Sequence, residues 1–428
     1  MEKFAMGNSN IESFVIENMR KLSNPEKVAD ILKKEQKNWD GTDLGSGWTG
    51  ICLLLAELDN LYPGEGWDQI GHSYLIAIYR ELEKRRIDSI SLWGGLTGIC
   101  LAVFALSKNK TRYIKLLNEL HNALIAMLPK RIDQAVDNLQ RGVSVFDYDV
   151  IQGLSGICRY LLLNHDVPEF RTLLLEILSY LVLLSEDKMA NNSIIPGWYI
   201  PTENQILQQE KNQYPKGNFN MGMSHGIVGP LSILSLCKSQ GIIVNDHEKA
   251  INRLTIWILK WKRKDDFGIV WPRRVSYDEY INGDLDNEPV FTESWCYGEL
   301  GIARSLWLAG EAMNEQQWKD TALEAFIGMS NRARNNRINV FSPTYCHGFA
   351  GTLHMTKIML EAAPLPELIF FRNHFRELIL QQLDVDSAFG IRRCEHPGLL
   401  NGAAGVMLVL LRELKPISSI WECAFLLK

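Results

Sequence analysis

Gly95-Leu-Thr-Gly-Ile-Cys-Leu-Ala-Val-Phe-Ala-Leu106 is the stretch that decides how this chain folds. It opens on Gly-x-x-Gly and then runs apolar almost all round, which at helical spacing describes a helix buried on every side. Outward from it, the same pair opens an apolar run at Gly47/Gly50, Gly153/Gly156, Gly226/Gly229, Gly298/Gly301, Gly348/Gly351 and Gly402/Gly405. With 32 Gly in 428 residues, composition alone would give about two or three such pairs. Seven copies at intervals of 48 to 73 residues are a repeat, in which no unit buries its apolar face without neighbours.

Amphipathic stretches fill the spaces between the copies, at about 11–37, 69–85, 112–128, 169–184, 247–264, 315–334 and 366–383. In the second of these, Ile70, Tyr74, Ile78 and Leu82 line one face. The alternation predicts an all-α protein of seven outer/inner helix pairs. An open solenoid and a closed ring both fit the pattern. The strongly apolar inner layer favours the ring, an α/α toroid, because an open end would expose it. The repeat spans nearly all of 1–428, so one domain is expected.

Two intervals are longer than the rest, and their extra chain is not helical in character. Segment 191–221 contains Ile194-Ile-Pro-Gly-Trp-Tyr-Ile-Pro201, and segment 265–293 contains Phe267-Gly-Ile-Val-Trp-Pro272. Both read as short strands with Pro/Gly punctuation. Either they meet as a small β-rich extension or they are two separate surface loops.

Composition bounds the function. A formal charge of −5 with 45 Lys+Arg against 50 Asp+Glu argues against nucleic acid as a partner. The N-terminal residues carry no apolar signal core, and the most apolar stretch, Leu173–Leu184, is interrupted by Glu176. The expected location is the cytosol. Eight Cys without a secreted-framework spacing agree with that. Cys52, Cys100 and Cys158 fall two residues after the second Gly, where other copies carry Leu231, Ala303, Leu353 and Met407. They read as small core residues.

The register also isolates reactive residues. The two positions before the first Gly hold Gly45-Ser46, Trp93-Gly94, Ile151-Gln152 and Leu400-Asn401 in four copies, but Ser224-His225, Cys296-Tyr297 and Cys346-His347 in the other three. Equivalent positions of neighbouring repeats lie side by side, so these residues are expected in one patch at inner-helix N-termini. Cys296, Cys346 and His347 make a candidate Zn²⁺ site, because soft thiolates with one imidazole suit zinc and three ligands leave a fourth position open. A sulfur-rich shell weakens Lewis acidity, which favours activation of a bound thiol over activation of water. His225 is then either a general acid/base or a core histidine. Asp149, four residues before Gly153, either orients that His or caps a helix start. Tyr297 either hydrogen-bonds a developing enolate or packs as an aromatic.

Four motifs carry a resemblance: Ser294-Trp-Cys-Tyr-Gly298, Cys346-His-Gly-Phe-Ala-Gly351, Ser224-His-Gly-Ile-Val-Gly229 and Asp149-Val-Ile-Gln-Gly-Leu-Ser-Gly156. In this order the chain resembles, over essentially its whole length, the lanthionine synthetase C family, the cyclases of class I lantibiotic biosynthesis, and within it the nisin and subtilin type. Glu203-Asn-Gln205 and Asn220-Met-Gly222 add to the likeness. The resemblance implies an α/α toroid with a β-rich extension, and one zinc on Cys296, Cys346 and His347. It also implies a catalytic His225 and Asp149. The implied reaction is intramolecular Michael addition of peptide Cys thiols to dehydroalanine or dehydrobutyrine in a dehydrated precursor peptide. Implied partners are the matching dehydratase and an ABC export transporter, in a complex at the inner face of the membrane. One departure stands out: nisin-type members carry an Arg four residues before the first zinc Cys, where this chain has Thr292. Arg273 and Arg274 are candidates to replace it.

Two rival readings remain at this level. A prenyltransferase-like toroid also activates a peptide thiol on zinc, but its ligand set includes an Asp. A zinc-dependent glutathione or peptide scaffold would not need the His225–Asp149 pair.

Overall fold

The computed structural model describes residues 7–37, 39–84, 87–190, 192–285, 294–394, 396–415 and 420–428. Each Gly-x-x-Gly lies at the start of a helix: α1 (Trp48–Leu61), α2 (Leu96–Leu106), α3 (Leu154–Leu163), α4 (Val228–Ser239), α5 (Glu299–Met313), α6 (Phe349–Ala362) and α7 (Ala403–Leu414). In α2 every residue except Phe104 is buried, as its all-round apolar sequence requires.

The amphipathic stretches are helices too, with three departures. Stretch 11–37 is broken into Asn8–Met19 and Pro25–Glu35. The break falls where the Asn24 side chain accepts the N–H groups of Glu26 and Lys27 and Pro25 takes the first helical position. Stretch 112–128 continues as Ile114–Arg141 straight through Pro129, although an interior Pro removes one backbone bond. Stretch 247–264 stops as a helix at Lys260, and Arg263–Lys264 is instead a strand.

By internal contacts the chain forms two compact units. The first comprises Met1–Asn122, Val340–Glu361 and Ile369–Trp421, the second Ala123–Asn339, Ala362–Leu368 and Glu422–Lys428. In each, the loops that precede the inner helices are joined by backbone hydrogen bonds with one rule. The acceptor carbonyl always stands two residues before the first Gly. In the first unit Cys346 N–H donates to Leu400 O (3.0 Å), Leu400 N–H to Gly45 O (3.0 Å) and Leu44 N–H to Trp93 O (2.7 Å). In the second, Val150 N–H donates to Ser224 O (3.1 Å) and Ser224 N–H to Cys296 O (3.3 Å). Equivalent loop positions are therefore side by side.

At Gly50, Gly98, Gly301, Gly351 and Gly405 the second Gly is needed first for its own loop, whereas at Gly229 the neighbouring Val150 side chain comes nearest, at 2.7 Å. A Cβ at Gly351 or Gly405 would run into the carbonyl oxygen of Tyr345 or Leu399, six residues upstream in the folded-back loop.

In the second unit, three side chains donate to carbonyls of the buried tail: Trp295 to Phe425 O (3.0 Å), Arg304 to Leu427 O (2.7 Å) and Arg159 to Lys428 O (2.8 Å).

Among the described residues, six short strands lie in or beside the extra chain, paired in twos: β1 (Asp187–Ala190), β2 (Ser193–Pro196), β3 (Asn218–Asn220), β4 (Arg263–Lys264), β5 (Ile269–Val270) and β6 (Arg274–Ser276). β1–β2 and β4–β5 are local hairpins. β3 pairs antiparallel with β6, so segment 191–221 meets segment 265–293, with Asn220 opposite Arg274. The end of the later segment, 286–293, lies outside the described residues. Among the described residues no helix is long and apolar enough to cross a membrane.

Candidate active site

Asp149 follows a one-turn helix, Val145–Tyr148, which is fixed by a capping box between Ser144 and Asp147. Its carboxylate is fully buried and uses both oxygens. Oδ1 accepts the N–H groups of Gln152 and Gly153, each at 2.6 Å, and Oδ2 lies 2.6 Å from Nδ1 of His225. One oxygen thus secures the loop that leads into α3, and the other meets the imidazole. With Nδ1–H directed at the carboxylate, His225 presents Nε2 as its exchanging nitrogen. The His225 side chain is 31% exposed, and it lines a cavity of about 380 Å³ together with Tyr297, Arg274, Glu210 and Asn220.

The Tyr297 hydroxyl accepts a hydrogen bond from Asn220 Nδ2 (2.9 Å) and another from Arg274 Nη2 (3.3 Å). Burial pushes the phenol above its ordinary pKa, opposed by the Arg274 charge and the Asn220 hydrogen bond, so it is protonated at neutral pH. Arg274 also pairs with Glu210 of the Gln208–Gln213 helix. Of the two arginines considered for Thr292, Arg274 therefore reaches the site. Thr292 itself lies outside the described residues.

Cys296, Cys346 and His347 supply two thiols and an imidazole that could hold a metal ion. Two thiolates with one imidazole are a donor set that suits zinc. Exposure separates these thiols from the others. Cys296 and Cys346 are partly exposed, while the remaining six Cys are buried. Burial pushes the thiols of Cys52, Cys100, Cys158 and Cys423 upward, and that of Cys394 to about 11, which marks them as inert packing groups. The ligand loops are held by backbone. Cys346 N–H is bonded to Leu400, and Cys296 O accepts from both N–H and Oγ of Ser224, the residue before His225.

The lanthionine synthetase C-like family model matches residues 38–426. The chain belongs to that family. Among curated proteins it is similar to the nisin biosynthesis protein NisC of Lactococcus lactis subsp. lactis, at 28% identity over 402 residues, covering 92% of this chain and 91% of that one. Among solved structures it is similar to a nisin cyclase, with TM-score 0.81 at 27% identity, covering 95% of this chain and 97% of the other. The fold class is accordingly all-α, the α/α toroid of this family.

Sequence alone gives no role to Asn220, Glu210 or Gln205. The Asn220-Met-Gly222 motif is a turn in which Asn220 Oδ1 accepts Gly222 N–H while Nδ2 serves Tyr297. Glu203-Asn-Gln205 ties the first insert together. Asn204 donates to Gly142 O, and Gln205 Oε1 accepts from Asn218. The motifs were visible, but only strand pairing reveals what they hold.

Proposed function

We infer that this protein is a lanthionine cyclase, joining Cys thiols of a dehydrated precursor peptide to dehydroalanine or dehydrobutyrine to give (methyl)lanthionine thioether rings. The observation that carries this reading is the two-Cys, one-His donor group, with His225, bonded through Nδ1 to Asp149, on the loop hydrogen-bonded to that of Cys296. Family membership over nearly the whole chain supports it.

Cys296, Cys346 and His347 would hold one zinc ion. When bound, zinc lowers the pKa of a coordinated thiol and leaves the sulfur nucleophilic. The addition forms one S–Cβ bond and breaks the Cα=Cβ π bond, and its electron pair passes to the neighbouring carbonyl as an enolate. The proton that the thiol gives up returns to the product at Cα, delivered from Nε2 of His225. Asp149 holds the ring by Nδ1 and so aims Nε2 at the reacting carbon. Tyr297 donates its phenolic proton in a hydrogen bond to the enolate oxygen. No leaving group departs, so the product has the mass of the substrate.

Dehydro residues arise by loss of water from Ser and Thr, so a dehydratase must act first. We propose that this chain works beside such a dehydratase and an ABC export transporter, as a cytoplasmic protein peripheral to the inner face of the membrane. We propose that the two compact units act as one catalytic domain over 1–428, with 191–221 and 265–293 as a small extension; the β3–β6 pairing supports the meeting of the two segments.

The test is ring formation from a dehydrated precursor, read as loss of free thiol at constant mass. Cys346→Ala should lose both zinc and rings, whereas His225→Ala should keep zinc and stall. Full cyclisation by a zinc-free Cys346→Ala protein would refute the scheme.

A further inference from the structure

We propose that Arg274 is a positioning residue for the enolate-oxygen site, carried there by the two inserts acting as a clamp. The proposal rests on the cyclase reading and deepens it.

The argument starts from strand register. β3 and β6 place Asn220 directly opposite Arg274, and both side chains converge on one atom, the Tyr297 hydroxyl. An oxygen that accepts two hydrogen bonds has its own O–H directed elsewhere, and donors on the oxygen make that O–H a stronger donor. Tyr297 lines the same cavity as His225, with their ring centroids 6.5 Å apart. Its phenolic proton is therefore available to an acceptor beside the histidine.

Arg274 is held in turn. Glu210, from a short helix of the first insert, takes Nη2, and the guanidinium stands 5.4 Å from the Tyr297 ring centroid. Both partners are mostly buried, at 17% and 18% side-chain exposure. A surface ion pair would contribute little, but this one fixes a planar fork whose geometry matters. One insert supplies the cation and the other supplies its anchor. The carbonyl oxygen of the dehydro residue gains negative charge only as sulfur adds, so a donor site prepared in advance acts on the transition state rather than on substrate binding.

The test compares kcat and KM for ring formation in wild type, Arg274→Gln, Arg274→Lys, Glu210→Gln, Tyr297→Phe and the Arg274→Gln/Tyr297→Phe double variant, each with zinc content and melting temperature measured. Arg274→Gln should lower kcat about tenfold or more, with KM within about twofold and zinc unchanged. Arg274→Lys should recover part of the loss. The double variant should be no slower than Tyr297→Phe alone, because Arg274 acts through that phenol. Wild-type kcat in Arg274→Gln, or losses that multiply in the double variant, would overturn the assignment. If Arg274→Gln does not fold, Arg274→Lys and Glu210→Gln decide by the same measures: each must slow kcat, and only while Tyr297 is present. A wild-type protein that forms no rings defeats the cyclase reading itself. Rings from wild type and Arg274→Gln at equal rates defeat only this inference.

Discussion

Nδ1 of His225 and Oδ2 of Asp149 are 2.6 Å apart, while Oδ1 of the same carboxylate secures the loop N–H groups of Gln152 and Gly153. One buried side chain thus holds both a loop and an imidazole, and two substitutions separate the two contacts. Asp149→Asn keeps an acceptor for the loop but cannot hold an imidazolium. It should melt within a few degrees of wild type and cyclise about 10²-fold or more slowly. Asp149→Ala should lose the rate and also about 1–2 kcal/mol of stability, as loss of a cap does. Equal rates for Asp149→Asn and wild type would remove the carboxylate from catalysis.

Removal of zinc should cost activity and leave the fold. Each ligand loop is already held within its own unit, by Cys346 N–H to Leu400 O and by Ser224 N–H to Cys296 O. Structural zinc sites behave otherwise, and their domains unfold when stripped. Chelation should abolish ring formation with little loss of helical circular dichroism, and added zinc should restore the rate. A collapse of helicity on chelation would make the site structural.

The inner helices are legible because the signal is redundant: glycine spacing, all-round apolarity and seven-fold repetition agree. The same register singles out Cys296, Cys346, His347 and His225, and it does so without any single strong motif. What the sequence hides is non-local. Asn220 and Arg274 meet through strands of three residues each, too short to carry a period of two. Glu210 sits in a polar six-residue helix that reads as loop. The run through Pro129 and the break at Asn24 show tertiary context and capping overriding a simple period.

Asp265 gives a pH prediction. It turns the chain between β4 and β5, where Oδ1 accepts Phe267 and Gly268 N–H (2.9 Å each) and Oδ2 accepts Arg332 (2.8 Å). Burial raises its pKa, but these three donors outweigh burial and leave it below the usual carboxylate value. A depressed folded pKa contributes stability that is present above the unfolded value of about 3.9 and is lost as pH falls through the folded one. Asp265→Asn should therefore lower the melting temperature most at neutral pH, and the gap to wild type should narrow below about pH 4. A gap that stays constant to acid would assign the effect to lost geometry rather than charge.

The tail carbonyls of Phe425, Leu427 and Lys428 accept from Trp295, Arg304 and Arg159, and Arg159 and Arg304 are only 7% and 5% exposed. A chain cut before Phe425 would leave those buried donors unmatched, at about 1–3 kcal/mol each. That is a large part of a total stability of about 5–15 kcal/mol. The cut should shift the denaturant midpoint strongly. Trp295→Phe, which removes one donor and keeps the apolar packing, should shift it less. Because Trp295 precedes Cys296, the cut should also weaken zinc binding in whatever fraction stays folded. Unchanged zinc affinity in that fraction would mean that the Ser224–Cys296 hydrogen bonds alone hold the ligand loop.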